Sequence, residues 1–302
     1  MHALQFKAYG GPDVLAVGEA PEPHAGEGQV RIAVRAASVN PIDWKIRAGF
    51  MSDGAALEEP VIPGIDGAGV VDEVGDGVDT VLIGDEVFGL GSATSAEYAV
   101  LDHVAPKPAS MSWEDAAALP VAVETAARTL DLLGVDSGST VLVEGAAGGV
   151  GSAAVQLAVA RGATVIGTAN EANHDYIQGL GAIPTTYGAG LAERVAALAP
   201  GGVDAALDTP GKGSVPALIE IVGEPSQVVS IADFSAPERG ARATSGAEER
   251  ATYALAAVAG LFEQEAFVVN VQQVFPLADG AEAHRLSEGG HVRGKLVLTV
   301  AE

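Results

Sequence analysis

The chain has 302 residues, 48% of them hydrophobic, with no cysteine and a formal charge of −24 from 40 acidic against 16 basic residues. That length fits two domains of ordinary size. The missing thiols exclude disulfides, thiolate zinc sites, cysteine-ligated iron–sulfur clusters and cysteine nucleophiles, and a field of that sign repels nucleic acid and anionic lipid.

Met1 to Gly10 carry no apolar signal core and no apolar run approaches a membrane span, which predicts a soluble cytoplasmic protein. The first hundred residues read as strands and tight turns. Gln29 to Ala37 alternate apolar positions at Val30, Ile32 and Val34, the period of a half-buried strand. Ile65 to Val74 and Val81 to Phe88 are further apolar runs punctuated by Gly and Asp. Near Ser112 the texture changes. Ser112 to Asp115 form a helix start, and an Ala-rich helix is predicted through Leu133.

From Ser139 onward strands and helices alternate, which implies a parallel sheet covered on both faces. The predicted strands are Thr140 to Glu144, Ala163 to Thr168, Asp204 to Asp208 and Gln227 to Ile231, with a helix over Val150 to Arg161. The end reverts to β character: a strand at Phe267 to Val271, a turn at His291 to Gly294 and alternation from Leu296 to Val300. The last strand is expected to return to the first domain. Phe267 to Val271, as an apolar strand near a sheet edge, also suggests a homodimer.

The sharpest motif is Thr140 to Gly151, TVLVEGAAGGVG, followed by the helix SAAVQLAVARG. It is a variant of Gly-x-Gly-x-x-Gly, with Ala146, Gly148 and Gly151 in the three key places. Gly148 lets the backbone approach a pyrophosphate, Gly151 lets the helix pack close to the strand, and the helix N-terminus faces the phosphates. The candidate loop residues are Ala147, Gly148, Gly149 and Val150. The strand before, the helix after and the second strand beyond make this a dinucleotide site rather than a bare Gly-rich turn.

NAD enzymes place an acid at the end of the second strand, roughly 20 residues past the glycines. Ala169 and Asn170 stand there, and Glu171 lies close by. A 2′-phosphate needs donors, which Asn170, Asn173, His174 and Tyr187 can supply. Gly162 to Glu193 contain no Lys or Arg, so any cation comes from elsewhere, with Arg239 and Arg242 as candidates. The reading favours NADP(H), with NAD(H) left open.

With these residues in hand, the chain resembles the medium-chain dehydrogenase/reductase superfamily, and within it the zinc-independent quinone oxidoreductase and enone reductase branch. The resemblance rests on SVNPIDWKIRAG (Ser38 to Gly49), PGIDGAGVVDEVG (Pro63 to Gly75), GDEVFG (Gly84 to Gly89), AEYAV (Ala96 to Val100), AALPVAVETA (Ala117 to Ala126), GAAGGVG and HVRGKLVL (His291 to Leu298). It implies an α/β protein: a GroES-like β-domain over 1–115, completed by 272–302, and a Rossmann doubly wound parallel sheet over 116–271, with the active cleft at their junction.

Zinc-dependent relatives bind catalytic zinc at places that look like Asn40, Ile65 and Val121 here, and these are poor zinc ligands. Without a Lewis acid, hydride transfer suits acceptors that are already electron-poor, quinones and conjugated enones. The resemblance places Asn40 and Lys45 at the reacting centre. Asn-Pro is also a common turn starter, and Lys45 reads equally as a solvated lysine or as a cation steadying an enolate oxygen. Asp43 and Arg47 are expected to hold their loop by an ion pair.

Thr125 is expected near the nicotinamide amide, and Asp208, Ile231 and Ala232 at strand ends facing the cofactor. His103, His284 and His291 show no metal spacing. The expected function is NADPH-dependent reduction of a small quinone or enone. The alternatives are a non-catalytic NADP(H)-binding sensor or structural protein, its pocket closed by Phe50, Phe88 or Phe234, and a dedicated biosynthetic tailoring reductase.

Overall fold

The computed structural model describes residues 1–52, 54–246 and 250–300. The chain divides into two compact units, Met1–Val121 with Leu255–Glu302, and Ala122–Ala254.

The first unit opens with β1 (His2–Gln5) and β2 (Ala16–Glu19), an antiparallel pair. Then come β3 (Val30–Val39), α1 (Pro41–Arg47), β4 (Asp66–Val74), β5 (Glu86–Ser92), β6 (Tyr98–Pro106) and α2 (Trp113–Ala118). β3 pairs with both β4 and β6, so β3, β4, β5 and β6 close on themselves, and closure removes the free edges. The alternation expected at Val30, Ile32 and Val34 is seen, and these three pack with Val71, Val87 and Leu101 inside the ring. From Ala36 to Val39 every β3 residue is buried, and this half pairs with a returning C-terminal strand as well as with β4.

The apolar run at Val81 to Phe88 is mostly turn, and β5 starts only at Glu86. Residues 82–85 form a turn in which Leu82 N–H donates to Asp85 Oδ2 at 2.8 Å, and Gly84 takes φ +97°. Periodicity could not separate this apolar turn from a strand. The helix predicted from Ser112 to Leu133 is two helices. Ser112 caps α2 as expected, its hydroxyl accepting from Asp115 N–H at 3.0 Å. α2 stops before Leu119, and α3 (Pro120–Leu132) starts at a proline, which cannot donate into the preceding turn.

The second unit holds β7 (Thr140–Glu144), α4 (Gly149–Ala160), β8 (Thr164–Thr168), α5 (His174–Gly179), β9 (Ile183–Thr185), α6 (Leu191–Leu198), β10 (Ala205–Asp208), α7 (Val215–Val222), β11 (Val228–Ser230) and β12 (Arg242–Ala243). Every strand pair here is parallel, in the order β12-β11-β10-β7-β8-β9. The chain runs outward one way from β7 through β8 and β9, then restarts beside β7 at β10 and runs the other way. The order therefore reverses between β7 and β10, the place where such sheets bind ligands. The near-continuous apolar strands follow from burial on both faces: Leu142, Ile166, Ala206 and Val228 pack with Val195 and Leu218 of the covering helices.

After α8 (Tyr253–Glu263) the chain adds β13 (Val271–Pro276), α9 (Gly280–Gly289) and β14 (Lys295–Thr299) to the first unit. β14 pairs with β3, and β13 lies parallel outside it. The strand predicted at Phe267 to Val271 thus begins where it was expected to end. Phe267 is buried outside any strand, and the ladder starts where Val271 meets Lys295 of β14. Among the described residues no helix is long and apolar enough to cross a membrane.

Candidate active site

The candidate site residues gather in two clusters, one in each unit. In the second unit, β7 ends at Glu144 and the chain turns sharply at Gly145, where φ is +75° and a Cβ would come within 2.5 Å of Thr209 Oγ1. The tight-turn glycine is therefore Gly145, not the position assigned to Ala146. A Cβ on Gly151 would meet Gly145 O at 2.2 Å, so Gly151 is required by packing. At Gly148, the residue before α4, a Cβ would meet only Gly145 O at 3.4 Å. Gly148 leaves space in front of α4 rather than within it. Gly148, Gly149 and Val150 are partly exposed and Ala147 is buried. The first amides of a helix have no intrahelical acceptor and point outward, so this cradle suits a pyrophosphate.

The ends of β7, β10 and β11 stand in register, Glu144 opposite Asp208 and Asp208 opposite Ser230. Asp208 is fully buried. It accepts from Ser230 Oγ at 2.6 Å, Gly211 N–H at 3.0 Å and Ser214 Oγ at 3.3 Å. Ser230 Oγ in turn accepts from the amides of Ala232 at 3.2 Å and Asp233 at 2.9 Å. Asp208 thus shapes the loops after β10 and β11, and Ile231 and Ala232 stand partly exposed on the second of them. Thr125 on α3 is buried within hydrogen-bond range of Glu124 and Arg128. Glu124 and Arg128 pair at 2.8 Å.

Past β8, Asn170 and Glu171 are exposed, Tyr187 is about half exposed, and His174 Nε2 is buried with no partner. Ala169 N–H donates to Thr185 O at 3.0 Å, which sets the Tyr187 loop beside Asn170. Arg194, beyond the stretch that lacks cations, folds back onto that loop, donating to the carbonyls of Thr186 and Ala189 at 2.8 Å each. Sequence spacing did not point to it. Arg239 bonds to Ser235 and Arg242 to the Leu132 carbonyl.

In the first unit, Asn40 begins α1 and is buried. Its N–H donates to Asp43 Oδ2 at 2.7 Å, which holds the first turn of the helix. Its side chain turns inward: Nδ2 donates to Asp66 Oδ1 at 2.9 Å, and Oδ1 accepts from the Lys295 ammonium. Asp66 also accepts from Ser38 Oγ at 2.6 Å and Val121 N–H at 3.2 Å, and its Oδ2 lies 3.7 Å from Lys295 Nζ. A buried lysine cation thus stands against the Asn40 side chain. Lys295 and Asp66 carry no local sequence signal as site residues, since their meeting depends on β14 pairing with β3.

The Asp43–Arg47 pair expected from sequence is corrected. Asp43 caps α1, while the fully buried Arg47 donates to Gly10 O at 2.7 Å and to Glu288 Oε2 at 2.5 Å. Positions i and i+4 of a helix share a face, but here Asp43 turns back to the cap. Burial pushes the Asp43 carboxyl up to about 7. Lys45 is half-buried, its ammonium 5.8 Å from the Trp44 ring, which meets Phe50 edge-on at 6.0 Å. Phe88 is buried in the first unit's interior, whereas Phe50 and Phe234 are 73% and 62% exposed.

Residues 26–108 match the family described as Alcohol dehydrogenase GroES-like domain, and residues 183–298 that described as Zinc-binding dehydrogenase. The quinone oxidoreductase of Coxiella burnetii is 32% identical, with a TM-score of 0.84 over 100% of this chain and 99% of that one.

The chain belongs to the quinone oxidoreductase branch of the medium-chain dehydrogenase/reductase family.

Two plant members are similar in sequence. The 2-methylene-furan-3-one reductase of Solanum lycopersicum is 40% identical over 200 residues, covering 60% of this chain and 50% of that protein. The chloroplast envelope quinone oxidoreductase homolog of Arabidopsis thaliana is 38% identical over 195 residues, covering 60% and 59%. The chain thus spans only a little over half the length of these curated relatives. The expected fold class, a GroES-like β-domain with a Rossmann parallel sheet, is the family's own.

Proposed function

We propose that the chain is a zinc-free, NADPH-dependent reductase that delivers hydride to quinones or α,β-unsaturated carbonyls. The observation that carries the reading is the open amide cradle of Gly148 to Val150 at the switch point of the parallel sheet. A Cβ at Gly148 would meet only Gly145 O at 3.4 Å, so the glycine leaves room for a pyrophosphate in front of α4. The donors of Asn170 and His174 past β8 and of Tyr187 past β9 support NADPH. The exposed Glu171 beside them is the feature that would favour NADH instead.

When bound, the cofactor supplies the hydride. The protein's part is to bind, orient and stabilise. Asn40 does not offer a free metal-ligating oxygen, because Lys295 donates to it. With no cysteine in the chain either, carbonyl activation falls to a side-chain cation, and Lys45 on α1 is the candidate. That limits the reaction to acceptors that delocalise the arriving charge, as quinones and enones do. The names of the similar plant and bacterial proteins point the same way.

The test is NADPH and NADH binding followed through cofactor fluorescence. Cofactor consumption is then measured with quinones, 2-alkenals and cyclic enones, beside metal analysis of the same sample. Binding without turnover of any acceptor would favour a sensor. Stoichiometric zinc whose removal abolishes activity would overturn the zinc-free mechanism.

A further inference from the structure

β10 and β11 end side by side, with Asp208 opposite Ser230. Both residues are fully buried. Each side chain holds the turn that follows it. Asp208 Oδ1 accepts from Gly211 N–H at 3.0 Å and from Ser214 Oγ at 3.3 Å. Ser230 Oγ accepts from the amides of Ala232 at 3.2 Å and Asp233 at 2.9 Å, and donates its own proton to Asp208 Oδ2 at 2.6 Å. A hydroxyl has one donor and two acceptor positions, so Ser230 is used to capacity. Its donated bond ties the two turns together. The turns also touch: Gly211 has φ +61°, and a Cβ there would lie 2.6 Å from Ala232 Cβ.

The sheet itself does not depend on this link. β10 and β11 pair through their backbones, and Ala206 and Val228 pack against Leu218. The Asp208–Ser230 bond lies at the last rung, where strands become loops. β10 and β11 stand on one side of β7, and β8 stands on the other. In such sheets the adenosine ribose is held at the end of the second strand, here β8, with the pyrophosphate at the helix start. The other half of a dinucleotide then crosses to the ends of β10 and β11. There the amides of Ile231, Ala232 and Asp233 are all bonded within the protein, the first to Asp208 O at 3.1 Å. The carbonyls of the partly exposed Ile231 and Ala232 accept no hydrogen bond among the described residues. This loop therefore has acceptors to offer, which suit a carboxamide, where α4 has donors, which suit a phosphate.

We propose that Ser230 is a positioning residue for the nicotinamide half of the cofactor: through Asp208 it fixes the loop after β11 against the loop after β10. The inference rests on the dinucleotide reading above. Ser230 is buried and acts through the loop it holds.

The experiment is calorimetric binding to the full chain of whichever of NADPH and NADH wild type prefers. Beside it is run the same molecule without its nicotinamide, 2′-phospho-ADP-ribose or ADP-ribose. The variants are Ser230→Ala, which releases both amides, and Asp208→Asn, which keeps the Oδ1 contacts but turns an amide toward the Ser230 hydroxyl. Thermal melting confirms that each is folded. Ser230→Ala is expected to weaken the dinucleotide about tenfold while the fragment stays within about twofold of wild type. Asp208→Asn should show the same selective loss, and decides the matter if Ser230→Ala does not fold. A residue that only stabilises the fold would weaken both ligands or neither. Equal losses for dinucleotide and fragment, wild-type affinity in folded Ser230→Ala, or failure of both variants to fold would overturn the assignment without touching the dinucleotide reading. If wild type binds neither dinucleotide, that reading fails, and this inference with it.

Discussion

Lys295 reaches back from β14 to donate to the side-chain oxygen of Asn40 at the start of α1. Both are buried, and the same ammonium lies 3.7 Å from Asp66 Oδ2. Removing one partner of a buried ion pair is far costlier than replacing both, because a charge is left stranded. Lys295→Met is therefore expected to lose about 3–5 kcal/mol in urea unfolding. The double variant Lys295→Met with Asp66→Asn should recover part of that loss. A single variant as stable as wild type would mean that the cation does not hold this cluster together.

Three of the four glycines of the loop, Gly145, Gly148 and Gly151, should separate by phenotype. Gly151→Ala places a Cβ 2.2 Å from a backbone oxygen, so it should lower the melting temperature sharply. Gly148→Val meets little protein and should fold, yet lose dinucleotide binding. Gly145→Ala is strained by its φ of +75°, an unfavourable conformation for any residue with a Cβ. Wild-type cofactor affinity in Gly148→Val would show that the phosphates lie elsewhere.

Lys45→Met should slow enone reduction more than quinone reduction. An enone places the arriving charge largely on one oxygen, while a quinone spreads it over a ring. Lys45 is half-buried, so its effect should fall below that of a donor in a dry site. A selective loss of roughly tenfold, or about 1.4 kcal/mol, is expected in kcat/KM. Equal losses on both acceptors would reduce Lys45 to a structural role.

Two buried groups give opposite pH slopes. Asp43 moves from 3.8 to about 7 on folding, so the folded state holds the extra proton and stability falls as pH rises through that range. His284 moves from 6.5 to about 4, because burial and the nearby Arg47 charge disfavour its cation. Here the unfolded state takes the proton first, so stability falls as pH drops through that window. At about 1.4 kcal/mol per unit, the effect is roughly 4–5 kcal/mol for Asp43 and roughly 3–4 kcal/mol for His284. Asp43→Asn should flatten the loss toward pH 7, and His284→Gln the loss toward pH 4, in urea titrations across pH. Unchanged profiles would show that these groups titrate normally in the fold.

Part of this architecture is legible in the order of residues alone. The strand at Thr140–Glu144, the glycine-rich turn and the helix from Gly149 announce themselves locally, because turn chemistry and apolar period are properties of neighbouring residues. The same holds for β3 and for the Ser112 cap. Local signals are weaker where apolar residues serve another purpose. Leu82 and Ile83 sit exposed in a turn, and Phe267 is buried outside a strand.

What only the tertiary structure decided is which distant residues meet. Lys295 and Asn40 are joined by the β3–β14 ladder, and Glu144 faces Asp208 because β10 inserts beside β7. Arg194 serves the Tyr187 loop because α6 folds back on the chain before it. Asp43 and Arg47 share a helix, yet each takes a different partner, since a nearby backbone amide and a distant carboxylate offered better geometry. The sequence by itself determined the fold class and the glycine-rich turn between β7 and α4, which depend on contiguous pattern. The partners of each buried charge depend on strand order, and strand order emerges only once the whole sheet has closed.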